Sequence, residues 1–261
     1  MSLSICVLAS GSSGNCIYIA SDTTRILVDA GTSCRRIEQA LAGLGVPLKT
    51  LNAVCITHEH SDHTGALALL HRRGGLPLYA NTGTLEAIRR GVRSAADMVW
   101  NVFSTGQVFR VGDLSILPFS VPHDSYDPVG FVVSDGERRI GIATDIGMPT
   151  TLVRERLHNC HVLAIEANHD EQMLRDAARP WSLKQRIAGC QGHLSNRQAG
   201  ELLADLVGPD TRAVLLAHLS AECNKPDLAL RTVRDILARA GHGGLALHMT
   251  HPGQPSEFLR A

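Results

Sequence analysis

The sequence predicts an α/β protein of two β-sheets covered by helices on their outer faces. Two observations carry this reading: the first and middle stretches pair strand with strand through short turns, whereas the later stretch alternates strand with helix. A third is the recurrence of His, Asp and Glu at strand ends, densest in Thr57-His58-Glu59-His60-Ser61-Asp62-His63. A chain of 261 residues with 44% hydrophobic content can bury a substantial core. No composition break, long linker or repeat divides it, so one domain over residues 1–261 is expected.

Residues 3–9 form an apolar strand and residues 16–20 a second, joined by Ser10-Gly11-Ser12-Ser13-Gly14-Asn15. Small residues let the backbone turn sharply there, and their amides either converge on an anion or simply close a hairpin. Residues 25–29 are a third strand, and Ser33 caps a helix running to about Ala42. Asp29, at that strand's end, either orients neighbouring loops or serves the turn. The apolar run Ala53-Val54-Cys55-Ile56 leads into the histidine-rich loop. A helix to about Arg73, a strand at 76–80 and a helix from 82 or 83 to 90 follow. Short β segments are expected at 99–103, 107–110, 114–121, 130–134 and 138–143, with Asp135-Gly136 as a hairpin signal. Helices near 149–157, 170–175, 182–188, 195–206 and 227–239 then alternate with strands at 162–165, 213–216 and about 244–249.

Composition narrows the functional classes. The N-terminal apolar run lacks a basic segment and soon breaks into Gly and Ser, unlike a signal peptide. No apolar stretch is long enough to span a bilayer, so a cytoplasmic protein with no membrane partner is expected. Seven cysteines without paired spacing fit reduced thiols, with Cys6, Cys55 and Cys160 as core residues. Lys plus Arg and Asp plus Glu balance at 25 each, so net charge gives no sign of a nucleic-acid partner. That leaves local groups, Arg35-Arg36, Arg72-Arg73, Arg89-Arg90-Arg93 and Lys184-Arg186, and such groups on helices are mostly solvated faces. No motif points to an obligate protein partner.

Three imidazoles and a carboxylate within six residues make a metal site in outline. In extended backbone His58, His60 and Asp62 share one side, and a turn into the next helix brings His63 round to meet them. Neutral imidazole and carboxylate are ligands of zinc and neighbouring divalent metals, and four in one short loop exceed the usual share of one tetrahedral site. Two adjacent metals are expected. The bland alternative is a surface loop in a chain that holds 13 histidines.

His58-x-His60-x-Asp62-His63, followed by His123, Asp145 and His218, resembles the metallo-β-lactamase fold superfamily over essentially the whole chain. The resemblance implies a four-layer αββα sandwich with two divalent ions, zinc or manganese, at one edge between the sheets. By position, His58, His60 and His123 would hold one ion, Asp62, His63 and His218 the other, and Asp145 would bridge them. A cysteine commonly stands at the bridging position in β-lactamases proper, so an aspartate favours the dinuclear hydrolases. Two ions roughly 3.5–4 Å apart share a hydroxide, bring its pKa toward neutrality and clamp an oxyanion during in-line displacement. Asp62 would also orient that nucleophile.

Ligands alone do not name a substrate. Glu166 after a strand and His193 before a helix resemble the Glu and His of RNase Z-like phosphodiesterases, where the pair protonates a leaving alkoxide that departs poorly unaided. The alternatives for the pair are a phosphate contact by His193 at a helix start and a salt bridge between loops. The stretches 10–16, 121–128, 180–187 and 192–196 are similar to the WalJ/YycJ family of metal-dependent 5′-to-3′ DNA exonucleases. That resemblance implies a DNA substrate whose backbone meets Ser12, Ser13, Asn15, Lys184 and Arg186. Trp181 would stack a base, although a helical tryptophan more often packs. Neutral overall charge argues against strong non-specific DNA binding. A small cyclic or nucleotide phosphodiesterase of PhnP-like type is the alternative enzyme, and a thioester hydrolase would leave Glu166 and His193 unexplained. His161 and His169 have no assigned place.

Overall fold

Strands that are buried along their whole length need cover on both faces, and β1 (Ser4–Ala9) and β2 (Cys16–Ala20) are buried at every position. The computed structural model describes residues 2–261, apart from the side chains of residues 93 and 94, so the Arg93 side chain of the third basic group lies outside what is described. β1 and β2 continue into β3 (Arg25–Val28), β4 (Ala53–Cys55), β5 (Leu78–Ala80) and β6 (Trp100–Val102) to build the first sheet. The second sheet holds β7 (Phe109–Val111), β8 (Leu114–Ser120), β9 (Val129–Ser134), β10 (Arg139–Ala143), β11 (Val162–Glu166), β12 (Ala213–Ala217) and β13 (Ala246–Met249). A short β14 (Leu259–Arg260) returns beside β1 and is too brief to show in the sequence pattern.

Alternation divides each strand between two layers. Ile5 and Val7 of β1 face the second sheet, where they meet Phe131 of β9 and Ile142 of β10, while Cys6 and Leu8 face the helices. The outer faces are covered by α1 (Cys34–Gly43), α3 (Leu67–Gly74) and α4 (Thr82–Gly91) on one side. On the other lie α5 (Thr151–Leu157), α8 (Asn196–Leu206) and α9 (Pro226–Arg239). This is the expected αββα order. Between these helices stand α2 (Ser61–Thr64), α6 (Glu171–Asp176) and α7 (Trp181–Ala188), and α7 buries none of its residues.

Each sheet changes hand once. β1 to β3 pair antiparallel and β3 to β6 parallel; β7 to β10 pair antiparallel and β10 to β13 parallel. Parallel strands all point their carboxyl ends one way, so the loops after β3, β4, β10, β11 and β12 gather at one edge. The Asp135-Gly136 signal holds: β9 and β10 pair with Ser134 opposite Arg139, and Gly136 takes φ 102°. The helix expected through Arg73 is broken instead at Gly65-Ala66. There the Ala66 amide donates to the Ala30 carbonyl at 2.8 Å, which takes it out of the helical ladder.

Candidate metal centre

Six imidazoles and two carboxylates meet at that edge. His58 and His60 come from the loop after β4, Asp62 and His63 from α2, His123 from beyond β8, Asp145 from beyond β10, His193 from the loop before α8 and His218 from the end of β12. The loop is not extended throughout, as its alternation had suggested. The chain turns helical at Ser61, with the His63 amide donating to the His60 carbonyl at 2.9 Å, so Asp62 parts from His58 and His60. Two groups result. His58, His60 and His123 offer nitrogens within 4.8 Å of one another, and so do Asp62, His63 and His218 with their own ligand atoms.

Asp145 sits between the groups. Its Oδ2 is 3.1 Å from His63 Nε2, and its Oδ1 is 3.5 Å from His218 Nε2 and 3.8 Å from His123 Nε2. His60 Nδ1 is 3.1 Å from His58 Nε2 and 3.3 Å from His123 Nε2. Asp62 Oδ2 is 3.7 Å from His63 Nε2 and 3.6 Å from His218 Nε2. Ligand atoms around a tetrahedral ion with bonds near 2.1 Å stand about 3.4 Å apart, so these spacings fit divalent ions. The orphaned atoms agree: Asp145 Oδ2 and His218 Nε2 are buried and make no hydrogen bond, which is costly unless something else satisfies them.

The imidazoles are held from behind. Asp29 accepts from the Thr57 amide and hydroxyl, both at 2.8 Å, and its Oδ2 lies 2.7 Å from His63 Nδ1, which aims His63 Nε2 inward. Thr57 Oγ1 is 3.0 Å from His58 Nδ1, and the Gly192 carbonyl is 3.2 Å from His123 Nδ1. Asp29 therefore orients loops, one of the two roles its sequence position left open. Asp29, Asp145 and His218 all adopt positive φ, at 61°, 58° and 55°, a strained conformation that tends to collect at functional sites.

Electrostatics prepare the donors. Burial, reinforced by neighbouring His63, holds His58 well below the usual imidazole range, and burial also lowers His123, so both keep a free lone pair. Burial opposes ionisation of Asp145, yet His218 and His63 keep its carboxyl well below the ordinary range. Burial likewise opposes a charged His63, but Asp29 and Asp145 raise it well above its usual value. Divalent ions would take over the charge balance that this proton supplies.

Glu166 and His193 stand beside this centre. Glu166 is fully buried, and its Oε2 accepts from the Ile146 amide at 2.9 Å. Its Oε1 lies 2.9 Å from His193 Nδ1, which is also 3.6 Å from Asp145 Oδ1. Burial pushes His193 down, but the Glu166 carboxylate outweighs it and raises the imidazole to about 9.

The remaining sequence candidates divide. Ser12, Arg186 and His193 line one cavity of 190 Å³ with Asp124, and Arg186 pairs with Asp124 through its Nε. Ser13 is exposed beside Ser12. Asn15 is buried: its Nδ2 lies 3.0 Å from His63 Nε2, and its Oδ1 accepts from the Gly11 amide at 2.8 Å. The Gly11, Gly14 and Asn15 amides all bond within the protein, so this loop braces the histidine loop as a hairpin and those amides form no anion nest. Lys184 lines a different cavity and donates to the Arg175 carbonyl. Trp181 is 67% exposed, against the packing role expected of a helical tryptophan. His161 accepts from the Arg139 amide in the turn leading into β11. Asn168, whose Nδ2 donates to the His218 carbonyl at 2.9 Å, went unnoticed in the sequence because only its place beside Glu166 marks it.

Comparison with known proteins agrees with this geometry. Residues 24–219 match the model of the beta-lactamase superfamily domain. The chain is 34% identical to exodeoxyribonuclease YycJ of Bacillus anthracis, over 99% of each protein. It is 36% identical to exodeoxyribonuclease WalJ of Streptococcus pneumoniae, over 91% of this chain and 89% of that one. Among solved structures, the metallo-beta-lactamase fold protein YhfI of Bacillus subtilis superposes with a TM-score of 0.75 over the whole of both chains at 17% identity. The chain belongs to the metallo-β-lactamase fold superfamily and, within it, to the family of YycJ and WalJ.

Proposed function

We propose that this chain is a dinuclear metal-dependent phosphodiesterase that degrades DNA from the 5′ end. The observation that carries this reading is the Glu166–His193 pair, an imidazole held 2.9 Å from a fully buried carboxylate beside the cluster of candidate metal ligands. Thioester hydrolysis expels a thiolate and needs no such acid, whereas an alkoxide leaving a phosphodiester does. The relatives named exodeoxyribonucleases match across almost the full chain, which extends the reading to DNA.

His58, His60 and His123 would hold one ion and Asp62, His63 and His218 the other, with Asp145 shared. Two divalent ions there, zinc or manganese, would activate water and neutralise the phosphate. The protein's own groups do the rest. Asp62, half-buried at the mouth, orients the attacking water. His193 gives a proton from Nε2 to the departing oxygen, while Glu166, on the Nδ1 side, keeps the ring charged until then. Ser12 and Arg186 line the cavity beside His193 and position the strand, Arg186 exchanging Asp124 for a phosphate oxygen.

Metal-loaded protein should free a 5′ label in its first product, shorten 3′-labelled DNA progressively, and stop when chelated. Rapid turnover of cyclic nucleotides with DNA left intact under zinc and manganese would replace this reading with a small-molecule phosphodiesterase.

A further inference from the structure

We propose that a second cavity, across α7 from the catalytic one, is a subsite for an unpaired nucleobase that stacks on Trp181. The proposal rests on the reading of the chain as a DNA hydrolase and names how it grips the strand. α7 is a wall between two cavities. Leu183, Arg186 and Ile187 line the catalytic one, and Trp181, Lys184, Gln185 and Ala188 line a second of 340 Å³. At 100° per residue these two sets fall on opposite faces of the helix.

The helix has no core role to explain its sequence, since none of its residues is buried. Trp181 is nonetheless a large indole left 67% exposed in a chain that is only 4% aromatic. An exposed ring over a cavity is what a stacking platform requires. The floor is polar: His169 is 2% exposed, and its buried Nδ1 has no hydrogen-bond partner among the described residues. Arg175, Lys184 and Arg197 line it; Arg197 is paired with Glu171 and with Glu201 just outside the cavity, so Arg175 and Lys184 supply the positive rim. Flat aromatic stacking with a net positive rim suits an anionic nucleotide better than an apolar or acidic peptide.

The walls are already set. Ser195 caps α8 and lies against Glu171, while the Asn196 amide donates to the His169 carbonyl at 2.8 Å. His169 is also one residue from Asn168, which lines the catalytic cavity, so the two cavities share a wall. A strand whose phosphate lies at His193 can place a neighbouring base across α7 only if that base is unpaired.

The chain has two tryptophans, and Trp100 is engaged elsewhere through its Nε1 and the Ala95 carbonyl. In Trp100→Phe protein, single-stranded oligothymidylate should quench the remaining fluorescence, and a blunt duplex of equal length should quench it far less. Trp181→Leu should raise KM for single-stranded DNA by roughly 5- to 150-fold while changing kcat less, with Trp181→Phe retaining most of the affinity. DNA cleavage with no quenching and an unaltered KM in Trp181→Leu would overturn the subsite and leave the hydrolase reading standing. Quenching without cleavage of any DNA would do the reverse. Neither quenching nor cleavage would overturn both.

Discussion

The Glu166 carboxylate raises His193 against the burial that would strip its proton, and on the proposed reading this makes His193 a proton donor rather than a metal ligand. Removing the imidazole in His193→Ala should slow DNA turnover by roughly 10²–10⁴ with metal content unchanged. Asp145→Ala, by contrast, should lose metal and activity together. Metal analysis of the two variants decides, because Asp145, Glu166, His193 and His218 also converge within 4.8 Å and could themselves hold an ion. Metal loss from His193→Ala would make that residue a ligand. A pH profile separates the partners further. In the metal-free protein Glu166 raises His193 to about 9, so, if the pair keeps this balance in the loaded enzyme, activity should persist on the alkaline side. In Glu166→Gln burial remains while the counter-charge goes, the imidazole loses its proton at lower pH, and the alkaline limb should shift down. An unmoved limb would mean that His193 does not supply the titrating proton.

The secondary-structure elements explain why these residues meet. β3 and β10 are the strands at which each sheet turns from antiparallel to parallel, and each is followed by an aspartate of positive φ, Asp29 and Asp145. One orients His63 and the other lies between the two groups of candidate ligands. The strand-end placement of His58, His123, Asp145, Glu166 and His218 was legible in the sequence because apolar runs mark strands and the polar residue after each run marks the edge. The break at Gly65-Ala66 was not, since it depends on a hydrogen bond to Ala30 from a distant strand end. Nor was the burial of Asn15, which follows from long-range packing on Asp62 and His63. That packing is tight at Gly31, where a Cβ would come within 1.5 Å of the Asp62 carbonyl oxygen. Gly31→Ala must therefore move either the β3 loop or α2. It should cost about 3 kcal/mol or more by urea denaturation, the upper end of overpacking, and lower metal content as Asp62 and His63 shift. A variant that unfolds like the parent with full metal occupancy would show that this approach is not tight in solution.

Across the whole molecule, the ligand groups draw on both sheets, His58 to His63 from the first and His123, Asp145 and His218 from the second. The sheets share the apolar layer of Ile5, Val7, Phe131 and Ile142. No helix among the described residues is long and apolar enough to cross a membrane. If the chain is one folding unit, the metals clamp the two sheets at their open edge, and metal binding and global stability are linked. Each ion that binds only the folded state adds about 2.7 kcal/mol when present at 100 times its dissociation constant, so two add about 5.4 kcal/mol. For a chain of this size that corresponds to a fall of about 5–10 °C in Tm for each ion removed, or about 10–20 °C on full chelation. Calorimetry should show one cooperative transition in the loaded protein, displaced downward as a whole by chelator. Two separable transitions, only one of them sensitive to metal, would mean that the sheets unfold independently and that the ions do not bind them together.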